Sequence, residues 1–184
     1  MDDAITTAFA PLIGLPCWGV QRGQGSMLTF EFGPPYLRIR EPHVSNSPTA
    51  WIRERAAQRR VRPCGAWHLW VSGCHWRIAV SGEVLAEDES PQDQIEAAVQ
   101  AVDGQKLTAL TLDAVTRTTT FAFDLGASLM TWPYADEIDE PWLLYQPEGQ
   151  VLVYRSDGCR SLGSADEEPD RHVWVPVDQD IRIL

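Results

Sequence analysis

The sequence predicts an α+β fold with mostly antiparallel sheet and about three helices. Short apolar runs that alternate with polar residues are bounded by Gly and Pro and indicate many short strands, while three other segments have helical spacing. The two halves also resemble each other, since residues 28–33 in one match residues 121–126 in the other. We therefore expect a single domain, residues 1–184, made of two helix-plus-meander units, residues 1–90 and 91–184, that are related by a pseudo-twofold axis.

Each half is expected to begin with a helix. The first covers residues 5–14, and the second opens near Ser90 and ends at Gly104. Gly and Pro turn signals then separate short strands. In the first half we expect strands at residues 17–22, 27–32 and 36–40. In the second half we expect strands at residues 107–116, 119–125, 128–132, 142–146, 150–155, 173–177 and 181–184.

The Ser72-Gly73 pair predicts a two-residue turn that joins residues 67–71 and 74–80 into a hairpin. In that register one face of the hairpin is apolar and is expected to lie in the core. This face consists of Trp67, Leu69, Val71, Trp76, Ile78 and Val80. The opposite face carries His68, Trp70, His75 and Arg77. Imidazole and guanidinium groups next to an indole could bind a small anion or stack on a ring, so this face is the best candidate ligand site. The alternative is an ordinary solvated sheet face.

Composition limits the class of function. The formal net charge of −11 disfavours binding of bulk nucleic acid or an anionic membrane surface. No apolar run reaches the length of about 18–20 residues that a membrane helix needs. The acidic start of the chain is unlike a signal peptide, and four Cys are too few for a disulfide scaffold, so we expect a cytoplasmic protein.

Motifs for catalysis or metal binding are not evident in the sequence. Cys64, His68, Cys74 and His75 are good metal-ligand types, but their spacing misses the usual zinc patterns. No nucleophile elbow, phosphate-binding loop or metalloprotease motif is present. We therefore expect no metal and no cofactor, and we lean towards a protein without enzymatic activity.

A basic segment interrupts this acidic chain. Residues 38–63 contain seven Arg and two Glu, a local charge of 7 − 2 = +5, so the rest carries −11 − 5 = −16. The segment is predicted to be an insertion in the first half, with a helix over residues 47–63 that Ser47 caps and Pro63 ends. Four of its side chains are predicted to contact an anionic partner: Arg53, Arg55, Arg59 and Arg60. The alternative is neutralisation by this protein's own acidic loops, within a monomer or across a dimer.

These observations favour a binding protein whose partner is another protein. One version is an acidic inhibitor of the immunity or antitoxin type, whose negative charge speeds capture of a basic effector. Its contact residues would be Asp136, Glu137, Glu140, Asp166 and Glu167. Nucleic acid is expected to bind only through residues 53–62. Two alternatives are a ligand-binding or enzymatic domain, with its site between the halves or on the His68 face, and a structural homodimer.

Overall fold

The computed structural model describes residues 4–135 and 137–184. These residues form two large antiparallel sheets, a two-stranded sheet and three α-helices. This confirms the predicted α+β class. The helices are α1 (Ala4–Phe9), α2 (Ala50–Ala56) and α3 (Gln92–Val102). The strands are β1 (Cys17–Arg22), β2 (Leu28–Phe32), β3 (Tyr36–Arg40), β4 (Arg60–Cys64), β5 (Trp67–Val71), β6 (His75–Val80), β7 (Glu83–Glu87), β8 (Leu107–Leu112), β9 (Thr119–Phe123), β10 (Ala127–Trp132), β11 (Trp142–Tyr145), β12 (Gln150–Tyr154), β13 (Cys159–Ser164), β14 (Val175–Pro176) and β15 (Ile181–Ile183).

Both large sheets contain strands from both halves of the chain. The first sheet has the order β1-β2-β5-β11-β12-β13-β14, and the second has the order β15-β8-β9-β10-β6-β7. The chain leaves the first sheet after β5 and enters the second at β6. It returns to the first sheet at β11. No helix in the described ranges is long and apolar enough to cross a membrane.

The core lies between the inner faces of the two sheets. In β5, β6, β9 and β11 buried residues alternate with less buried ones, as the period of two requires. Phe9 of α1 connects both sheets, because its ring lies 5.9 Å from that of Phe121 in β9 and 5.5 Å from that of Trp142 in β11. Helix α3 packs against β1 of the first sheet and against β6 and β7 of the second. Helices α1 and α3 therefore each pack against both large sheets.

The predicted hairpin of residues 67–80 is wrong. Strand β5 pairs with β2 and β11, where Leu69 lies opposite Phe30 and Leu144. Strand β6 pairs instead with β7 and β10 in the other sheet. Ser72 donates its backbone N–H to the carbonyl of Pro141 (3.2 Å), so Ser72-Gly73 forms part of a crossover between sheets. The local turn signal was overridden by pairing with strands distant in sequence.

The basic segment contains a shorter helix than predicted. Helix α2 ends at Ala56, and residues 60–64 form strand β4, which pairs with β3 in a separate two-stranded sheet. Arg59 and Arg60 therefore lie beyond the helix, which contains Arg53 and Arg55. The long-range partner β3 supplies backbone hydrogen bonds to residues that helix-capping signals had assigned to α2. We call residues 36–64, which comprise β3, α2 and β4, the arm.

The tandem repeat is not confirmed and stays a prediction. The predicted correspondence matches residues 67–70 with residues 142–145. In the structure these segments lie in neighbouring antiparallel strands of one sheet, β5 and β11. The arm is inserted between β2 and β5, which are adjacent antiparallel strands that a short turn could have joined.

Candidate functional site

The arm has two chemically different faces. Residues directly opposite each other in an antiparallel pair project to the same side, and the side alternates along the strand. One side is apolar and exposed to solvent: Leu37 (67% exposed) lies opposite Pro63, and Ile39 (57%) lies opposite Val61 (54%). The other side carries four arginines in two opposite pairs, Arg38 with Arg62 and Arg40 with Arg60. We call it the arginine face.

The arginine face concentrates positive charge without paired carboxylates. Like charges directly opposite on a sheet repel, and the pKa of Arg60 is lowered by Arg55, then by burial, and then by Arg40 and Arg62. Among the described residues, no carboxylate lies within ion-pair distance of the four arginines. The ion pair found in the arm joins Arg59 to Glu41 at 2.9 Å.

Two of the predicted contact arginines are held within the arm. Arg59 forms the ion pair with Glu41, and Arg53 donates to the backbone carbonyls of Ser47 (2.7 Å) and Pro48 (2.8 Å). Arg55 lies on α2, with its guanidinium 5.9 Å from the ring centre of Trp51. Arg60 belongs to the arginine face. The arm therefore has four arginines without a carboxylate partner among the described residues on its strands, while Arg53 and Arg55 on its helix contact backbone carbonyls and the Trp51 ring.

A groove of about 660 Å³ lies between the arm and the outer face of the first sheet. The arm contributes Arg38 and Arg62, and strands β5 and β11 contribute aromatic side chains. Two turns complete the groove with Glu148 and Asp166, and they are adjacent because Ala165 donates its N–H to the carbonyl of Gly149 (2.8 Å). The groove therefore has a positive side and a negative side.

A buried carboxylate lies beneath one part of this groove. Glu31, His68 and Tyr145 are directly opposite one another on β2, β5 and β11, so the register places them in one row. Glu31 is only 5% exposed. Its Oε1 lies 2.8 Å from Nδ1 of His68, an ion-pair distance without the alignment of a hydrogen bond. Its Oε2 accepts a 2.8 Å hydrogen bond from the backbone N–H of Gly65.

Gly65 is required for this arrangement because the backbone passes very close to β2. A Cβ atom at this position would lie 2.5 Å from the carbonyl oxygen and 2.7 Å from the nitrogen of Phe32. The close approach places the Gly65 N–H within reach of Glu31. Since Gly65 directly follows the arm, Glu31 fixes where the arm leaves the sheet.

Aromatic rings form the surface of the groove on the sheet. Ring centres are 5.5 Å apart between His68 and Trp70 and 5.3 Å apart between Trp70 and Tyr145. Burial raises the pKa of Tyr145, and Glu140 adds to this effect while Arg38 opposes it. Nε1 of Trp70 and Nε2 of Gln146 are buried and have no hydrogen-bond partner among the described residues. Both residues line the groove.

The predicted ligand face of four residues does not exist as one surface. His68 and Trp70 line the groove on the first sheet, whereas His75 and Arg77 lie on β6 of the second. His75 has local partners, since its Nδ1 lies 3.0 Å from a carboxylate oxygen of Asp88 and its ring stacks on Trp132. Arg77 forms a 2.6 Å ion pair with Glu87. The strand exchange between the sheets separates the two pairs.

The predicted acidic contact residues are also dispersed. Asp136 lies outside the described residues. The carbonyl of Glu137 accepts a hydrogen bond from the hydroxyl of Ser156, which holds this loop against the β12–β13 turn. Glu140 acts electrostatically on Tyr145, which lines the groove, and Asp166 lines the groove itself. The N–H of Glu167 bonds to the carbonyl of Ser164.

The four candidate metal ligands do not converge. Cys64 and His68 line the groove, Cys74 is buried in the core, and His75 lies on the other sheet. Within residues 4–135 and 137–184, no three His, Cys, Asp or Glu side chains are grouped so that they could hold a metal ion.

Sequence reasoning found His68 and Trp70 but missed Glu31, Arg38 and Tyr145 as members of the site. One signal was present: Glu31 is the single charged residue in the mainly apolar strand Leu28–Phe32. A charged side chain that is buried on the outer side of such a strand needs a specific partner, because an unpaired buried charge is costly. The partners of Glu31 cannot be read from its own strand, because Gly65 and His68 lie 34 and 37 residues away in the sequence.

Comparisons with known proteins give no functional indication. The chain matches no known family model, and no curated protein or solved structure shows significant similarity to it. Its function has to be inferred from the arm and the groove.

Proposed function

We propose that this chain is a non-catalytic binding protein whose arm contacts an acidic and partly apolar surface of another protein. The observation that carries this proposal is the two-faced arm, with four unneutralised arginines on one side and exposed Leu37, Ile39 and Val61 on the other. Maintaining opposite like-charge pairs costs stability, and an anionic partner would remove that cost. Arginine and apolar side chains together are typical of protein interfaces.

A protein partner fits the arm better than nucleic acid does. The chain outside the basic segment carries −11 − 5 = −16, and this field would repel a polyanion that extended beyond the arm. The apolar side chains of the arm gain nothing from contact with phosphate groups, whereas they can be buried against a protein surface. The partner surface should therefore combine carboxylates with apolar groups over the size of the arm.

Two further parts of the proposal rest on charge and composition. The acidic inhibitor is an alternative version with a different partner: Glu137, Glu140, Asp166 and Glu167 would speed the capture of a basic effector. This version predicts a slower association rate when those charges are reversed. We also propose a cytoplasmic location, which four unpaired cysteines support, three of them buried.

The test compares partner capture by three forms of the protein. The wild type, Arg40→Gln/Arg60→Gln and a control, Lys106→Gln/Arg182→Gln, are used to purify complexes from the host at low salt. The control removes the same charge from exposed positions outside the arm. Captured proteins are then purified, and their binding to each form is measured across a range of salt concentrations.

We expect the wild type and the control to bind the same acidic protein. The arm variant should bind about tenfold or more weakly, and high salt should reduce the difference between the forms. Equal binding by all three forms would overturn the arm as the contact surface. If nuclease treatment abolished capture, the partner would be nucleic acid and not a protein. If the main product were a self-associated form, the partner would be a second copy of this chain.

A further inference from the structure

The groove has the dimensions and composition of a small-molecule site, separately from the binding of a protein by the arm. Its volume of about 660 Å³ falls within the range of about 300–1,000 Å³ that is usual for ligand pockets. It combines aromatic side chains with a few convergent polar groups, as such pockets do.

The charges in the groove select for a ligand with both signs. Arg38 and Arg62 are directly opposite each other on the arm, while Glu148 and Asp166 lie on two adjacent turns. Neither arginine forms an ion pair with Glu148 or Asp166, among the ion pairs of the described residues. A simple anion is attracted by the arginines but repelled by the carboxylates, and a simple cation the reverse, whereas a zwitterion can interact favourably with both groups.

The remaining surface of the groove favours an aromatic ligand body. Trp70 and Tyr145 present ring surfaces 5.3 Å apart in an edge-to-face arrangement, and His68 adjoins both. A planar ring can extend this cluster by edge-to-face or offset contact. Glu31 fixes His68 from below, so this part of the site is already positioned before a ligand enters.

We propose that this groove binds a small aromatic zwitterion, with its anionic group near Arg38 and Arg62, its cationic group near Glu148 and Asp166, and its ring against Trp70 and Tyr145. Free aromatic amino acids are the simplest members of this class. The site uses the groove half of the arginine face, whereas Arg40 and Arg60 do not line the groove. Ligand binding and partner binding can therefore be tested separately.

Isothermal titration calorimetry provides the test, because the eight Trp of the protein would obscure a fluorescence titration. The probes are phenylalanine, tyrosine and tryptophan, each compared with its N-acetyl derivative, which lacks the cation, and its amide, which lacks the anion. We expect at least one free amino acid to bind and both of its derivatives to bind about tenfold or more weakly. An N-acetyl derivative or amide that binds as well as its parent would overturn the zwitterionic requirement.

Matched double variants locate the binding. Arg38→Gln/Arg62→Gln should lose affinity for the amino acid by about tenfold or more, whereas Arg40→Gln/Arg60→Gln, with the same charge change on the same face, should retain it. Glu148→Gln/Asp166→Asn should weaken the parent more than its N-acetyl derivative. Equal losses in both arginine variants, or no binding by any of the three amino acids to the wild type, would overturn the proposal.

Discussion

Glu31 links the position of the arm to the shape of the groove. Burial of a carboxylate is costly unless opposite charge and hydrogen bonds compensate it. Here Oε2 of Glu31 accepts a hydrogen bond from the N–H of Gly65 at 2.8 Å, and the imidazole of His68 lies 2.8 Å from Oε1. One side chain therefore holds the residue that follows the arm and a residue that lines the groove.

Replacement of Glu31 tests this role. We expect Glu31→Ala to lower the free energy of unfolding by about 2–3 kcal/mol, because it leaves the Gly65 N–H and His68 without their partner. Glu31→Gln should cost less, since its amide oxygen can still accept from Gly65. The measurement is urea denaturation at neutral pH, with Glu83→Ala at an exposed position of β7 as the control. A loss no larger than that of the control would contradict this role.

Tyr154 makes stability fall at alkaline pH. It is fully buried, its Oη has no hydrogen-bond partner among the described residues, and burial raises its pKa to about 12. Above about pH 10 the unfolded chain releases this proton while the folded chain retains it, so unfolding becomes easier by up to about 1.4 kcal/mol per pH unit until about pH 12.

Tyr154→Phe should reduce this alkaline loss and change stability little at neutral pH, where Tyr154 is uncharged. Urea midpoints between neutral pH and about pH 12 would measure both effects. Cys17, whose pKa burial also raises to about 12, contributes a loss of the same sign in both proteins. An identical pH dependence in wild type and variant would exclude Tyr154 as a source.

At the scale of elements, the sequence pattern identified which side chains are buried better than which strands pair. Leu69, Val71, Trp76 and Ile78 are buried as predicted. Their strands nevertheless belong to different sheets, because a period of two fixes the inner face of a strand and not its neighbour. The same limit applies to the site: His68 was identified, but its row with Glu31 and Tyr145 depends on long-range register.

For the arm, too, the composition of the sequence identified the segment, but the pairing of its strands was not predicted. Its charge marked it as an insertion, and α2 forms within the predicted helix. The residues after α2 form a strand because Val61 and its neighbours find β3 as a partner. Local capping signals carry no information about such a partner, so they extended the predicted helix into β4.

The junction between the arm and the first sheet depends on Gly65. We expect Gly65→Ala to destabilise the protein by about 1–3 kcal/mol, because the added Cβ meets the backbone of Phe32, which cannot move aside easily. Hydrogen exchange should accelerate at the Gly65 amide and in β4. Gly163→Ala is the matched control, since its Cβ would meet only the flexible end of Glu167. Equal effects from both substitutions would contradict the requirement at Gly65.

At the scale of the whole molecule, charge and packing divide the chain differently. Charge separates the basic arm, with 7 − 2 = +5, from an acidic remainder with −11 − 5 = −16. Packing joins both halves, because a single cluster of buried residues includes side chains from α1, α3 and both large sheets. The proposed binding surface is therefore presented by an element outside this cluster, on a framework to which both halves contribute.

This shared core predicts that the halves unfold together. Strands β6 and β7 of the first half complete the sheet of β8–β10, and Phe9 contacts both Phe121 and Trp142. We expect tryptophan fluorescence and far-UV circular dichroism to report one coincident urea transition. Phe9→Ala should shift both signals equally, with a loss of about 3–5 kcal/mol. Exposed Val115→Ala in the β8–β9 loop is the control and should change little. Two separated transitions, or a shift in only one signal, would mean that each half folds around its own core and that Phe9 stabilises only one of them.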